Sequence, residues 1–350
     1  MEIKDCTALS YKQLRPMRAT TTPGFPVYKD LVDTLAATTV HPDPTVAHAM
    51  AVCAGYAYSD HKTVAMIMAR MGLNDNHCRM ISEFVDVMFI SSTAFVIQSQ
   101  DGRVVILCYR GTPPTSLITW LTDIDVNPEK VAINFPGGPG TFDVHGGFYR
   151  NVRSTRYEII GALKRALDGQ SVLADGGPMP HPMEALYVTG HSLGAAMAAI
   201  MTIMLTTEPS YAPLAKKLKA VYTFGQAMVG TPPLAEACTD LPFLCNNVIR
   251  YVYAHDIAPQ LPPRQSGKFA HFGQEYQFRT NGNGGEWHHN KDPRGQMRSL
   301  LELAGNPLSF LARQIELTRN LTFGASVDDH LPHHYIAALT PHGIQHEFGD

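Results

Sequence analysis

The residues Gly190-His191-Ser192-Leu193-Gly194 set a serine between two glycines, each two positions away. Glycines so placed let a chain turn from strand to helix within a few residues. The serine then sits at the apex in a strained conformation, with the exposed hydroxyl that a nucleophile needs. A chain of 350 residues meets this pattern by accident about one time in ten at average glycine and serine frequencies, so its surroundings decide. Residues 185–189 ahead of it read as a buried strand, and residues 193–208 behind it as a helix rich in Ala, Met, Ile and Leu. Strand, elbow and helix are the setting that nucleophilic serine chemistry requires.

A serine attacks poorly until a base removes its proton and a carboxylate orients that base. On a strand–elbow–helix scaffold the chain order is serine, acid, histidine. The acid belongs just past a strand that follows the elbow. Residues 248–254 are such a strand and Asp256 comes directly after it, whereas Asp240 and Asp292 lie in loops without one. Eight histidines follow Asp256, namely His271, His288, His289, His330, His333, His334, His342 and His346, and position alone does not choose among them. His330 lies in a late loop, just ahead of a helix-like run from 335 to 339.

The positioning elements are legible as alternating strands and helices. Residues 92–97 and 103–109 read as a hairpin turned at Asp101-Gly102. Apolar positions recur at helical spacing over 44–69, and again over 148–167 before Gly169 stops the helix. Further strands are expected at 219–224 and 248–254. This alternation predicts an α/β-hydrolase fold, a mainly parallel sheet with helices on both faces, in a single domain over 1–350. Residues 1–45 read as an N-terminal wrap, and the polar, Gly- and His-rich residues 264–298 as a surface excursion.

Composition narrows the function classes. A net charge of -3 without a dense Lys/Arg run gives no reason to expect a nucleic-acid partner. No stretch reaches the length of uncharged apolar residues that a membrane span needs. The first residues lack the basic end and apolar run of a secretory signal, so a cytoplasmic chain and one exported by another route are both open. Cys238 and Cys245 are the one cysteine pair close enough in sequence to suggest a bridge, although spacing does not fix connectivity. The histidine-rich pieces lack the spacing of a metal site, and no metal or cofactor is expected.

Taken together, the motifs resemble the class 3 (fungal-type) triacylglycerol lipase family. Tyr109-Arg110-Gly111-Thr112 is similar to that family's strand-end oxyanion motif, and Trp120 with Asp123 to its Trp-x-x-Asp. Val144-His145-Gly146-Gly147-Phe148 resembles the entry to the helix before the elbow. Tyr222-Thr223-Phe224-Gly225-Gln226 with Val229-Gly230 resembles the strand after the elbow helix, and Gly273-Gln274-Glu275-Tyr276 a Gly-x-Glu-Tyr element. His330 followed by Tyr335 matches the histidine signature. The match spans most of residues 90–340; residues 1–90 carry no matched motif.

The resemblance implies a serine carboxylester hydrolase for lipid esters at an oil–water or membrane interface, triacylglycerols foremost. Ser192, Asp256 and His330 would be its triad. One oxyanion donor is the backbone N–H of Leu193, the residue after the nucleophile. The resemblance makes Thr112 the other, in preference to His145-Gly146-Gly147, which is similar to the oxyanion loop of other esterases but opens a helix. A phospholipase A1 or short-chain esterase would share every one of these residues; an acyltransferase or a non-catalytic binding protein are more distant readings.

Residues 112–122 occupy the lid position, where Leu117, Ile118, Trp120 and Leu121 would form an apolar substrate-facing side. If so, Leu117→Ser with Ile118→Ser weakens turnover of emulsified long-chain esters and spares soluble short-chain ones. Equal loss on both substrates would instead mark an ordinary packed helix.

Overall fold

The structure is a computed structural model that describes residues 24–85, 90–112, 127–262, 269–281, 284–290 and 326–348. Three helices come first: α1 (Leu31–Ala37), α2 (Pro44–Tyr56) and α3 (His61–Met71). They are followed by β1 (His77–Val85), β2 (Ile90–Gln98), β3 (Val104–Tyr109), β4 (Pro128–Phe135) and β5 (Gly138–His145). Next come α4 (Gly146–Leu167), β6 (Ala185–His191), α5 (Leu193–Thr207), the short α6 (Ala212–Ala215) and β7 (Leu218–Phe224). The chain continues through α7 (Pro232–Thr239), α8 (Pro242–Asn246), β8 (Val248–Tyr253), β9 (Gln274–Asn281), β10 (Gly284–Asn290) and α9 (Pro332–Leu339).

Eight strands form one sheet in the order β1-β2-β3-β6-β7-β8-β9-β10, with β4 and β5 paired as a separate hairpin. The pairs from β3 through β9 are parallel, and antiparallel pairs close both edges. Strands β3 and β6 are buried along their whole length. That follows from cover on both faces, which lets every residue of a central strand be apolar. Val105, Leu107, Leu186 and Val188 pack with α4 and α5 on one side, while Val104, Ile106, Ala185 and Tyr187 pack with α1 to α3 on the other. The architecture is the α/β-hydrolase fold that the strand–helix alternation predicts.

Local chemistry sets the element ends. The helical stretch expected over 44–69 is two helices, because Asp60 accepts hydrogen bonds from the Lys62 and Thr63 amides at 2.8 and 3.0 Å and starts α3 afresh. Asp43 caps α2 in the same way through the Val46 amide at 3.0 Å, with Pro44 at the first helical position. Much of the stretch read as a surface excursion belongs to the sheet, as β9 and β10. Its register is held by buried Arg250 on β8, which pairs with Glu275 on β9 at 3.0 Å and donates to the Phe272 carbonyl at 2.9 Å. The edge strand β10 keeps Glu286, His288 and His289 exposed, so the stretch is both part of the sheet and surface. Cys238 and Cys245 are free thiols, not a bridge. Among the described residues no helix is long and apolar enough to cross a membrane.

Two buried imidazoles make the fold sensitive to acid. Burial, and then the neighbouring His346, push His48 down to about 3; burial, and then His330, hold His191 well below the ordinary histidine value. The unfolded chain takes up these protons near pH 6.5 and the folded one only far lower. Stability is therefore complete above about pH 6.5 and falls below it, by about 1.4 kcal/mol per pH unit for each such group. Urea midpoints compared at pH 7 and pH 5 should show this loss, and His48→Gln should reduce it. A midpoint unchanged between the two pH values would contradict it.

Candidate active site

The elbow has the strained backbone its sequence requires, but Ser192 is buried and its hydroxyl is not the exposed group the sequence suggested. Ser192 follows β6 at φ 60 and ψ -127, a strained conformation for a residue with a side chain. Both flanking glycines are forced by close approach. A Cβ on Gly190 would lie 2.4 Å from the Gly194 carbonyl oxygen, and one on Gly194 would lie 2.2 Å from that of Tyr109. The Ser192 amide donates to the Phe224 carbonyl at 2.9 Å, which pins the elbow to the end of β7. Helix α5 then runs away from the serine with nearly all of its side chains buried, and it begins at Leu193, so its N-terminal end adjoins the site.

Asp256 and His330, 74 residues apart in sequence, meet in the interior. His330 Nδ1 donates to the two Asp256 carboxylate oxygens at 2.9 and 2.8 Å, with both residues 2% exposed. Two further donors hold the carboxylate: the Ala258 amide at 2.8 Å and the Tyr335 hydroxyl at 2.5 Å. Tyr335 also accepts from the Tyr253 amide at 3.1 Å, so its hydroxyl links β8 to the acid. Burial first, then Asp256, raise Tyr335 well above the ordinary tyrosine value, so it stays a phenol and keeps donating. The loops that carry the pair are laced together, since Ser326 N donates to the His255 carbonyl at 2.7 Å and His255 N to the Asp329 carboxylate at 3.0 Å.

Gly225 explains how closely the parts fit. It has φ 59, and a Cβ there would lie 2.6 Å from Asp256 Oδ2 and 2.8 Å from His330 Nδ1 and Cε1. The residue after β7 has no side chain because the acid–base pair occupies that space. Among the described residues, Ser192 Oγ, His330 Nε2 and Thr112 Oγ1 around this centre are buried without a hydrogen-bond partner. Thr112 stands just past the end of β3, beside Gly111, whose Cβ would lie 3.2 Å from the Ser192 Cβ. The other expected oxyanion donor, Leu193, opens α5. His145, by contrast, is committed as a helix cap: its ring accepts from the Phe148 amide at 3.4 Å, and its own amide donates to Val229. Residues 113–126 lie outside the described residues, and with them Leu117, Ile118, Trp120, Leu121 and Asp123.

Residues 106–266 match the family model of class 3 lipases. Over that stretch, which is less than half of the chain, the protein is similar to the class 3 lipases. It is 28% identical over 247 residues to triacylglycerol lipase OBL1 of Arabidopsis thaliana, covering 62% of this chain and 46% of that one. It is 28% identical over 196 residues to the lipase of Rhizomucor miehei, covering 55% of this chain and 47% of that one. The chain thus spans about half the length of these relatives. Among solved structures, lipase II from Rhizopus niveus superposes with a TM-score of 0.53 at 21% identity, over 71% of this chain and 87% of that one. That likeness shows the shared α/β-hydrolase fold.

Sequence reasoning passed over three residues of this centre. Gly225 could be read only as part of a strand-end motif, Tyr335 only as a spacing marker, and Tyr58, whose hydroxyl lies 2.7 Å from Nδ1 of His191 beside the nucleophile, not at all, since it lies in the motif-free first 90 residues. A substitution at the first of these tests the geometry. Gly225→Ala forces its methyl against the imidazole and carboxylate, and a misplacement of about 1 Å can cost on the order of 10²-fold in rate. The reactivity of Ser192 toward a phosphonate should fall by that order, and thermal stability should fall as well, because a side chain at φ 59 is strained. An unchanged labelling rate would mean that the pair does not serve Ser192.

Proposed function

We propose that this chain is a serine carboxylester hydrolase of lipid esters, triacylglycerols foremost, that works through an acyl-enzyme on Ser192. The observation that carries the reading is the buried Asp256–His330 pair, 2.8 Å apart, with Ser192 Oγ, His330 Nε2 and Thr112 Oγ1 left free of other partners around it. These are the atoms that acyl transfer needs uncommitted. In this reading Ser192 Oγ attacks the ester carbonyl carbon while its proton passes to His330 Nε2. Asp256 holds the imidazole by Nδ1 and stabilises the imidazolium that forms. The negative charge that develops on the carbonyl oxygen is met by the Thr112 and Leu193 N–H groups and the Thr112 hydroxyl. Such preorganised donors bind the tetrahedral oxyanion more strongly than the ground-state ester.

Collapse of that intermediate expels the alcohol, which takes the proton back from His330. Water then repeats the sequence on the acyl-enzyme and releases the acid. The lipid character of the substrate rests on the similarity to class 3 lipases, since one similar protein is named a triacylglycerol lipase. The apolar side expected from Leu117, Ile118, Trp120 and Leu121 accords with it.

The test is turnover of p-nitrophenyl esters from two to sixteen carbons, with and without an emulsion, alongside triolein and phosphatidylcholine. The expected result is turnover that favours long, emulsified acyl chains, with an active-site phosphonate bound to Ser192. Ser192→Ala should lose about 10⁴-fold or more in kcat, as removal of a triad serine does. Labelling of a different serine would overturn the assignment, and preference for phosphatidylcholine over triolein would move the substrate class to phospholipids.

A further inference from the structure

The residue before the nucleophile, His191, makes contacts that the triad does not account for. Its ring is 2% exposed and lies against the ring of His330, with centroids 4.5 Å apart and planes tilted by 33°. His191 Nε2 is 2.7 Å from the backbone carbonyl oxygen of His330, and His191 Nδ1 is 2.7 Å from the hydroxyl of Tyr58. A carbonyl only accepts, so Nε2 carries the hydrogen. In a neutral ring Nδ1 then carries the lone pair, and Tyr58 donates to it. Burial first, and the neighbouring His330 second, hold His191 well below the ordinary histidine range, while burial raises Tyr58 far above the ordinary tyrosine range. Each partner therefore keeps one protonation state, and the chain of bonds has one direction: Tyr58 to His191 to the His330 carbonyl.

Tyr58 is itself held from the oxyanion side. It sits in the turn after α2, where the Arg110 guanidinium donates to the Ala57 carbonyl at 2.7 Å and to the Ser59 carbonyl at 2.6 Å. Its hydroxyl lies 2.3 Å from where a Cβ of Gly111 would be, one residue before Thr112. The end of β3, the elbow and the histidine loop thus meet at one buried hydroxyl–imidazole pair.

We propose that His191, braced by Tyr58, is a positioning residue that locks the backbone of His330 and so places its Nε2 toward Ser192. The inference rests on the hydrolase reading above. Catalytic groups need placement to within about 0.5 Å by neighbours whose own conformations are fixed. A bond to the carbonyl of the base's own residue does this without touching either ring nitrogen, both of which the reaction uses. The ring also has to stay uncharged, because His330 becomes a cation during turnover and a second cation stacked on it would oppose that step. The other titratable groups facing His191 are Tyr58 and Tyr335, with Asp256 behind His330 and Arg110 and Cys108 beside Tyr58.

The experiment is a double-mutant cycle read on a soluble short-chain ester. His191→Gln keeps an N–H where Nε2 stands and moves its one acceptor, Oε1, away from the Nδ1 position that Tyr58 meets; His191→Leu removes donor and acceptor alike. His191→Leu should lose about 10²-fold in kcat with little change in KM. His191→Gln should recover most of that loss and leave the acid limb of the pH profile in place, because His191 does not titrate there. Tyr58→Phe should cost roughly three- to tenfold alone, and nothing further in the His191→Gln background, since the hydroxyl acts only through Nδ1.

If His191→Leu does not fold, the Tyr58→Phe and His191→Gln cycle decides by itself. Additive effects in that cycle, or wild-type kcat in both single variants, would overturn the proposal. Failure of the hydrolase reading looks different: the wild-type protein would neither turn over esters nor be labelled at Ser192.

Discussion

The site depends on keeping one carboxylate out of water. Taking Asp256 into the interior costs several kcal/mol unless its oxygens find donors there. Three are supplied: the His330 imidazole, the Ala258 amide and the Tyr335 hydroxyl. Each donor carries a piece of chain with it. The amide fixes the turn after β8, the hydroxyl brings in α9, and the imidazole brings in the loop before α9. The need to satisfy one buried charge therefore assembles segments that are far apart in sequence, and it leaves His330 Nε2 as the ring's one uncommitted nitrogen.

The sheet supplies the other half of the geometry. Parallel strands β3, β6, β7 and β8 all end on the same side, so Thr112, Ser192, Gly225 and Asp256 emerge side by side from consecutive positions in the strand order. Backbone contact at this edge is too close for ordinary side chains, which is why Gly111, Gly190, Gly194 and Gly225 cluster there. The strain at Ser192 is sustained because both faces of β6 are packed and α5 is buried on all sides, so a relaxed elbow would have to open the core.

The two faces of the sheet have unequal relations to this edge. One core joins α4 and α5 to the sheet; the other is made by α1 to α3 and α9. The second includes α1 to α3, which carry no recognisable motif, and it reaches the site through Tyr58 in the turn after α2 and Tyr335 on α9. Its buried histidines, His48 among them, tie the fold's acid sensitivity to the same layer.

The elbow, the strand–helix alternation and the placement of Asp256 past a strand are written in local sequence, because glycine spacing and apolar periodicity are local properties. So the fold class was legible from residues alone, and the family resemblance singled out His330 among eight histidines that local pattern could not separate. The helix break at Asp60 was legible in principle, since its capping chemistry is local, but periodicity masked it. What only the tertiary structure decided depends on which distant groups share a buried volume. The strand role of 274–281 is set by pairing with β8, where Arg250 meets Glu275, and that of 284–290 by pairing with β9; the free state of Cys238 and Cys245 shows only in three dimensions, and the Tyr58–His191–His330 chain depends on burial that removes water as a competing partner. Hydrogen bonds between groups 133 and 139 residues apart leave no periodic trace, because their energy comes from mutual desolvation and not from any property of the neighbouring chain.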